Sequence, residues 1–481
     1  MNKVPFLDIV GPTYTLASLN AECQRCVNLY VEQIESGKGK NQYYLKPTPG
    51  LDSFIDLSDY PVKRLYTASN NKVYAIGGNK LYELFIDGSK ILRGTLGIIP
   101  NHVRMVDNGI LLFICYDNTA YTLRFSDNDF AIQIDAGYLG GLFVEFIDQY
   151  FITPVPGTQQ FQISPLAYNR VTPWAAGDVF SCESNPDYIT SMTINGREIW
   201  FFGPNSYEVW FNSEDSTRPF QRIRDAAFNI GTIAPFSVLS CAGQVFWLGG
   251  SKEGYGIIWS SSGYQPSRIS NHGIEEMIAS MGTIDDAEAW SYQVDGHFMY
   301  VISFPSEAKT LVYDITTKLW HEMEYRVPVY NTRLQHRAIC HTFGFNKNLV
   351  GDFSNGNVYE LSSEVYSDNG DPIIRYRRTP SINNQRNLIF YKKLELVIEP
   401  GVGLVSGQGS DPLISLRWSN DNGHTWSNYH TKSIGKIGKY KKPIVFNNLG
   451  AAIDRVFEIQ ISDPVPFRII SAEVGSEIGA H

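Results

Sequence analysis

The sequence predicts an all-β protein: a β-propeller of about seven blades closed by an N-terminal strand, followed by a C-terminal antiparallel β-sandwich-like domain. Three observations predict it. A unit of three β-prone runs separated by turn residues recurs through residues 63–361. Its copies are spaced by roughly 38–53 residues, the range of propeller blades. The 481-residue chain also carries 28 Tyr, 27 Phe and 9 Trp beside 41 Gly and 24 Pro. Aromatics favour strands, and glycine and proline punctuate them with tight turns.

The unit reads most clearly over residues 189–211. A first run climbs to Asn195-Gly196, a second (198–202) returns, and Gly203-Pro204-Asn205 leads to a third (207–211). Asn-Gly predicts a hairpin whose two turn residues both have φ > 0. Proline presets one dihedral of the second turn and glycine relaxes its neighbour. Further copies span 63–84, turning at Asn70-Asn71; 102–125, at Asn108-Gly109; and 143–163, near Asp148. Others span 237–259, turning at Ala242-Gly243; 289–313, at Asp295-Gly296; and 338–361, near Asn346. A looser fourth run follows most of them, as at 90–95, 131–135, 220–224 and 319–325. One four-stranded sheet cannot bury both faces, whereas blades packed around an axis can, with only short protected edges. A long stacked sandwich is the rival architecture and explains the even spacing less well.

The two ends of the repeat suggest how the ring closes. Residues 51–57 resemble the fourth run of a blade whose first three runs are missing, and the copy at 338–361 has a poorly defined fourth run. Pairing the two would remove free sheet edges. Residues 1–62 are thus an N-terminal arm with the closing strand, interrupted by a polar hinge at 35–41, and residues 63–368 are the propeller. After the turn Asn369-Gly370-Asp371-Pro372 the runs change to 373–377, 390–399, 413–418, 443–446, 456–462 and 467–474, with a glycine-rich loop at 401–409. Residues 369–481 therefore read as the second β-domain. Helical periodicity is nearly absent; residues 275–279 are expected to form one short helix.

A net charge of −9 argues against a basic surface that grips nucleic acid. It is compatible with an acidic or polar wall past which nucleic acid slides, because such a wall repels phosphates. The six cysteines, Cys23, Cys26, Cys115, Cys182, Cys241 and Cys340, are scattered and suggest no disulfide framework, so synthesis in a reducing cytoplasm is expected. Residues 1–8 hold no long apolar stretch, so no secretion signal is expected. No run reaches the roughly 18 apolar residues of a membrane span, so no stable membrane insertion is expected.

Ser419-Asn420-Asp421-Asn422-Gly423-His424-Thr425-Trp426 fits an Asp-box pattern. Asp421 can accept from the turn backbone, Gly423 supplies φ > 0, and Trp426 can pack onto the sheet. With Ser419 and Thr425 these residues predict a stiff hairpin turn without chemistry of its own. Its enzymatic reading is a propeller glycan hydrolase or glycan-binding protein of sialidase type, but sialidases carry such boxes within their blades. Phe467-Arg468-Ile469 echoes a sialidase motif at the wrong end of the chain, with Ile470 in place of proline. Cys23-Gln24-Arg25-Cys26 has no second pair for zinc and no βαβ context for redox work, so it reads as two reduced thiols. The carboxylates Glu275, Glu276, Asp285, Asp286 and Glu288 read as acidic loops, and no catalytic, metal-binding or cofactor-binding residue is expected. Residues 432–442 form a basic run whose lysines, Lys432, Lys436, Lys439, Lys441 and Lys442, are candidates for a subunit contact. Arg375, Arg377, Arg378 and Arg386 add to it in the same domain.

Several segments resemble the tail-hub protein of short-tailed bacteriophages (podoviruses), also called the packaged-DNA-stabilisation protein, tail accessory factor or nozzle. Residues 26–31 and 44–51 resemble its N-terminus, residues 310–314 with Trp320 its late-propeller signature, and residues 351–361 the strand pair that follows. The resemblance spans most of the chain without an invariant chemical motif. It implies a structural virion protein made in the host cytoplasm and a hexameric ring below the portal–adaptor proteins. It also implies contacts with a tail needle or plug and with tail fibre or spike proteins. Double-stranded DNA would pass through the ring without sequence-specific binding, retained until ejection. A cellular propeller scaffold is a further reading of the same fold.

Overall fold

The computed structural model describes residues 9–34, 41–58, 61–98, 102–251 and 254–479. Residues 1–8 and all of the polar hinge but Asn41 lie outside the described residues. The chain is all-β, with the propeller and the C-terminal sandwich expected from the sequence. Five separate four-stranded antiparallel sheets follow one another over residues 62–95, 104–132, 145–181, 191–228 and 239–268. A sixth four-stranded unit, 288–326, forms one edge of a larger sheet. The seventh comprises Ala338–Gly344, Lys347–Asp352 and Asn357–Ser362, and its fourth strand is Gly50–Asp56 from the N-terminal arm. That strand runs antiparallel to Asn357–Ser362, from Ser362↔Gly50 to Asn357↔Asp56. The innermost strand of each unit packs beside that of the next, and the seventh returns to the first.

Period-2 alternation explains why these short sheets pack as blades. In Glu198–Phe202, Ile199 and Phe201 point to the third blade and join Ile152 and Phe161. Trp200 and Phe202 point the other way and join Val245 and Trp247 of the fifth. This strand thus buries both faces, and an apolar layer of the same kind recurs between every pair of adjacent blades, including seventh and first, where Ile55 and Val358 meet Val62 and Val73. Turn chemistry differs in detail. At Asp295-Gly296 both residues have positive φ, 50° and 86°, as type I′ requires. At Asn195 the strand pairing is Asn195↔Glu198, so the turn centre is Gly196-Arg197, and of these two only Gly196 (φ 65°) is left-handed. The Asn-Gly hairpin is present, but its glycine takes the first central position, the type II′ preference, rather than the second.

Two fourth strands carried little sequence signal: Val179–Ser181, reached by a long connection, and Gln265–Arg268, mostly exposed. The helix is longer than expected, His272–Ala279, because the Asn271 side chain accepts from the Ile274 N–H and moves the start upstream.

The blade axis is filled. Arg64, His102, Arg104, Phe236 and Glu288, from the first, second and sixth blades and the lead-in to the fifth, surround a space of only about 20 Å³. His102 stacks on Phe236 at 3.6 Å between ring centroids and lies 3.3 Å from Glu288. Arg104 sits over the Phe143 and Phe236 rings at 4.9 and 5.2 Å. Burial raises the Glu145 and Glu288 carboxyls to about 7 and lowers His102 to about 4.

The N-terminal arm ties the two β-domains together. Cys23–Val27 lies between the sixth blade and the sandwich, parallel to Leu319–Arg326 at Val27↔Glu322 and antiparallel to Arg375–Arg378. Leu29–Gln33 and Tyr43–Pro47 extend the other sandwich sheet, which continues through Ile469–Ile478 and Ile389–Ile398 to Ile444–Asn447. The sandwich core joins Leu29, Val31 and Leu45 of the arm to Leu394, Leu416, Phe457 and Phe467. The arm's strands are therefore divided among the seventh blade, the sixth-blade sheet and the sandwich.

Candidate functional site

The Asp-box-like turn and the basic run flank one hairpin. Leu413–Ser419 pairs with His430–Ser433, from Leu413↔Ser433 to Leu416↔His430. The box follows Ser419 at one end and the basic loop follows Ser433 at the other. At about 3.4 Å per residue the two ends lie about 20 Å apart, so the fold does not bring them together.

The box closes on itself. The Asp421 carboxylate accepts from Thr425 N–H at 2.8 Å, Thr425 Oγ1 at 2.6 Å and Ser419 Oγ at 2.6 Å. Ser419 Oγ accepts from Gly423 N–H at 2.7 Å, and Gly423 has φ 102°. Trp426 Nε1 donates to Gly423 O at 3.0 Å. The Trp426 ring lies against the guanidiniums of Arg378 and Arg417, 4.7 and 4.6 Å from its centroid. Both arginines bind the buried Glu458, Arg378 Nη2 at 2.9 Å and Arg417 Nε at 2.7 Å. Asn422 anchors the turn outward, accepting from Ser381 at 2.6 Å and donating to Asn20 of the arm at 3.0 Å.

Every Asp421 hydrogen bond is thus internal to the turn. The Ser419 and Thr425 donors hold its carboxyl at about 2, so its stabilisation is present above the unfolded carboxylate pKa and lost as pH falls toward 2. Asp421→Ala is expected to cost about 1–2 kcal/mol, the scale of lost hydrogen bonds to a partly screened carboxylate, with the fold retained. Chemical denaturation at pH 7 with circular dichroism checks this; an unchanged midpoint would remove the structural role.

The basic loop is open to solvent. Lys432, Lys436, Lys439, Lys441 and Lys442 are all exposed, and none forms an ion pair among the described residues. Gly435 and Gly438, with φ 109° and 81°, shape the loop around a depression of about 660 Å³, beside which Ile437 and Tyr440 are 57% and 70% exposed. Lys442 Nζ donates to Ser433 Oγ at 2.7 Å.

The arginines grouped with this run behave differently. Arg375 and Arg377 are fully buried and are not part of a basic surface. Arg377 donates to Ile9 O at 2.8 Å, Pro12 O at 2.9 Å and Gln24 Oε1 at 2.6 Å, clamping the arm onto the sandwich. Arg378 is committed to Glu458, which leaves Arg386 exposed. Of the acidic loop, Glu288 turns inward to His102 and Asp286 accepts from Ser306 N–H at 2.8 Å, so Asp285 is the member presented to solvent. Glu275 is held by Arg268 Nε at 2.6 Å and Ser270 Oγ at 2.7 Å. Cys23 and Cys26 are buried, and burial raises their thiols to about 11 and about 12. Among the described residues no group of His, Cys, Asp and Glu could hold a metal ion, and no helix is long and apolar enough to cross a membrane.

No curated protein matches the chain. Solved structures that resemble it include the mitotic checkpoint complex (14% identity, 66% of this chain and 95% of that one, TM-score 0.41). The N-terminal domain of Nup159 is another (10% identity, 70% and 98%, TM-score 0.43). A third is the extracellular domain of the one-component system BT4673 from B. thetaiotaomicron (11% identity, 86% and 58%, TM-score 0.45). These likenesses are too distant to argue from. Two family models are informative: one described as bacteriophage P22 Gp10, beta-propeller, matches residues 23–366, and one described as bacteriophage P22 Gp10, beta-sandwich, matches residues 374–477. The first begins at the bridging strand Cys23–Val27 and takes in the closing strand Gly50–Asp56, and the second covers the sandwich strands that carry the Asp-box-like turn and the basic loop. The chain therefore belongs to the bacteriophage P22 Gp10 family, the tail-hub proteins that stabilise packaged DNA, and it is a structural component of a phage tail rather than an enzyme.

Proposed function

We propose that copies of this chain close into a ring, hexameric as in the tail-hub family, below the portal–adaptor proteins of a short tail, where it retains packaged DNA and conducts it during ejection. The observation that carries this reading is the filled blade axis. A space of about 20 Å³ has room for about one water. It cannot pass a duplex whose major groove alone is about 12 Å wide. A DNA channel therefore has to form between copies. In this reading the N-terminal arm (1–62), propeller (63–368) and sandwich (369–481) act as one building block, with tail needle or plug and fibre or spike proteins as further neighbours. The finished protein resides in the virion after synthesis in the host cytoplasm. The net charge of −9 supports an acidic or polar lumen, since each basic phosphate contact would hold sliding DNA through counterion release.

A closed ring uses heterologous contacts, in which one patch meets a different patch on the next copy. The exposed lysines of the basic loop supply one patch, and an acidic loop such as that of Asp285 supplies its complement. Lys439→Glu, Lys441→Glu and Lys442→Glu together are expected to weaken ring assembly by about 10–100-fold, the scale of several reversed rim charges. The melting of the monomer should not change, because all three side chains are exposed. Sedimentation and electron microscopy of the purified variant, with particles produced in its presence, read both effects. Full rings whose particles leak or stall DNA would place the lysines in the channel and overturn the contact.

A further inference from the structure

A recess of about 310 Å³ opens where the sixth-blade sheet meets the sandwich, apart from both the Asp-box-like turn and the basic loop. Arg326 and Arg333 reach it from the blade side, Arg417 and Glu458 from the sandwich, with Tyr376 and Tyr429 completing the wall. The local ion pairs do not neutralise it. Glu324 is shared by Arg326 (2.7 Å) and Arg333 (3.9 Å), and Glu458 by Arg378 (2.9 Å) and Arg417 (2.7 Å). Among the described residues these four guanidiniums thus answer two carboxylates, and partly desolvated positive charge in excess favours an anion. Two donors are also left over. The buried Nε of Arg326 has no hydrogen-bond partner among the described residues. The Tyr376 hydroxyl accepts from Arg333 Nη1 at 3.4 Å, and among the described residues its own proton has no acceptor.

From this geometry we propose that the recess binds the carboxylate of an acidic side chain presented by a neighbouring protein chain. The guanidinium fork matches a planar carboxylate through paired N–H donors, a geometry an ammonium cannot reproduce. Depth decides against nucleic acid as the occupant. The Arg326 and Arg417 side chains are only 12% and 22% exposed, while Arg333, at 45%, stands at the mouth. A duplex is a convex rod whose phosphates would meet Arg333 alone, whereas an Asp or Glu side chain on its own stem can enter. The inference stands apart from the ring proposed above, because a small dicarboxylate can test the recess without assembly.

The test uses the full-length chain and glutarate as probe, with sodium chloride and inorganic phosphate as parallel arms at matched ionic strength. Tyrosine and tryptophan fluorescence and the melting temperature are the readouts. Glutarate is expected to saturate both signals. Arg333→Ala, at a half-exposed position with the fold checked by circular dichroism, should weaken the response at least tenfold. Arg333→Lys, which keeps the charge but not the fork, should restore only part of it. A glutarate response that does not saturate, or that Arg333→Ala leaves unchanged, overturns the site. Saturation by phosphate at lower concentration than glutarate overturns the choice of a carboxylate occupant.

Discussion

A chain lacking residues 1–61 is expected not to fold. The deletion strips the seventh blade of its outer strand Gly50–Asp56 and reopens an edge against the first blade. It also removes Leu29–Gln33 and Tyr43–Pro47 from the sandwich and Cys23–Val27 from the sheet that joins the two domains. The side chains of Val27, Leu29, Tyr30, Leu45, Leu51 and Leu57 go with it, each 2% exposed or less. At about 1.5–3 kcal/mol for each buried apolar side chain, their loss amounts to about 10–20 kcal/mol. A domain's whole stability is about 5–15 kcal/mol. Circular dichroism and solubility of the truncated protein decide the matter. A soluble protein that melts as the full chain does would show that the ring does not depend on its closing strand.

Glu322→Ala is expected to be among the most damaging single substitutions, costing about 3–5 kcal/mol, as removal of one partner from a buried ion pair does. Glu322 sits on the outer strand of the sixth blade with its side chain 4% exposed. Its Oε1 accepts from Arg25 Nε at 2.9 Å and from Thr13 Oγ1 at 3.3 Å, while its Oε2 pairs with Arg25 Nη2. Without it the Arg25 guanidinium would stay buried and unpaired at the junction of arm, blade and sandwich. Burial alone pushes the Glu322 carboxyl up, and Arg25 outweighs that, so its pKa lies below the ordinary carboxylate range. The pair's contribution is therefore present above the unfolded pKa and lost as pH falls through the folded one. The variant should unfold at markedly lower denaturant and show a shallower acid limb than the native protein. An unchanged denaturation midpoint near neutral pH would mean that the junction does not depend on this pair.

Local signals were legible and distant ones were not. Asp421, Gly423 and Trp426 lie within a few residues of each other, so the Asp-box-like turn could be read from spacing, and its hydrogen bonds stay within the turn. Strands with alternating apolar residues, such as 198–202, were equally plain, since each face meets a neighbouring blade. Val179–Ser181 and Gln265–Arg268 were not, because an outer strand has one buried face at most and is fixed by pairing with its neighbour. Arg375 and Arg377 looked like surface charge in the sequence. They are buried because their strand is paired on both sides, and carbonyls of the arm, more than 350 residues earlier, satisfy Arg377.

The sequence by itself determined the all-β class, the repeated hairpins, the strand left over at residues 51–57 and the turn at Ser419–Trp426, because turn residues and period-2 alternation act over a few neighbouring positions. The tertiary structure alone decided that Arg64, Arg104 and Glu288 fill the blade axis, that the arm's strands are divided among three sheets, and that Arg326, Arg333 and Arg417 share a recess. Those residues are distant in sequence, and burial, charge pairing and strand partnership exist only once the chain has closed.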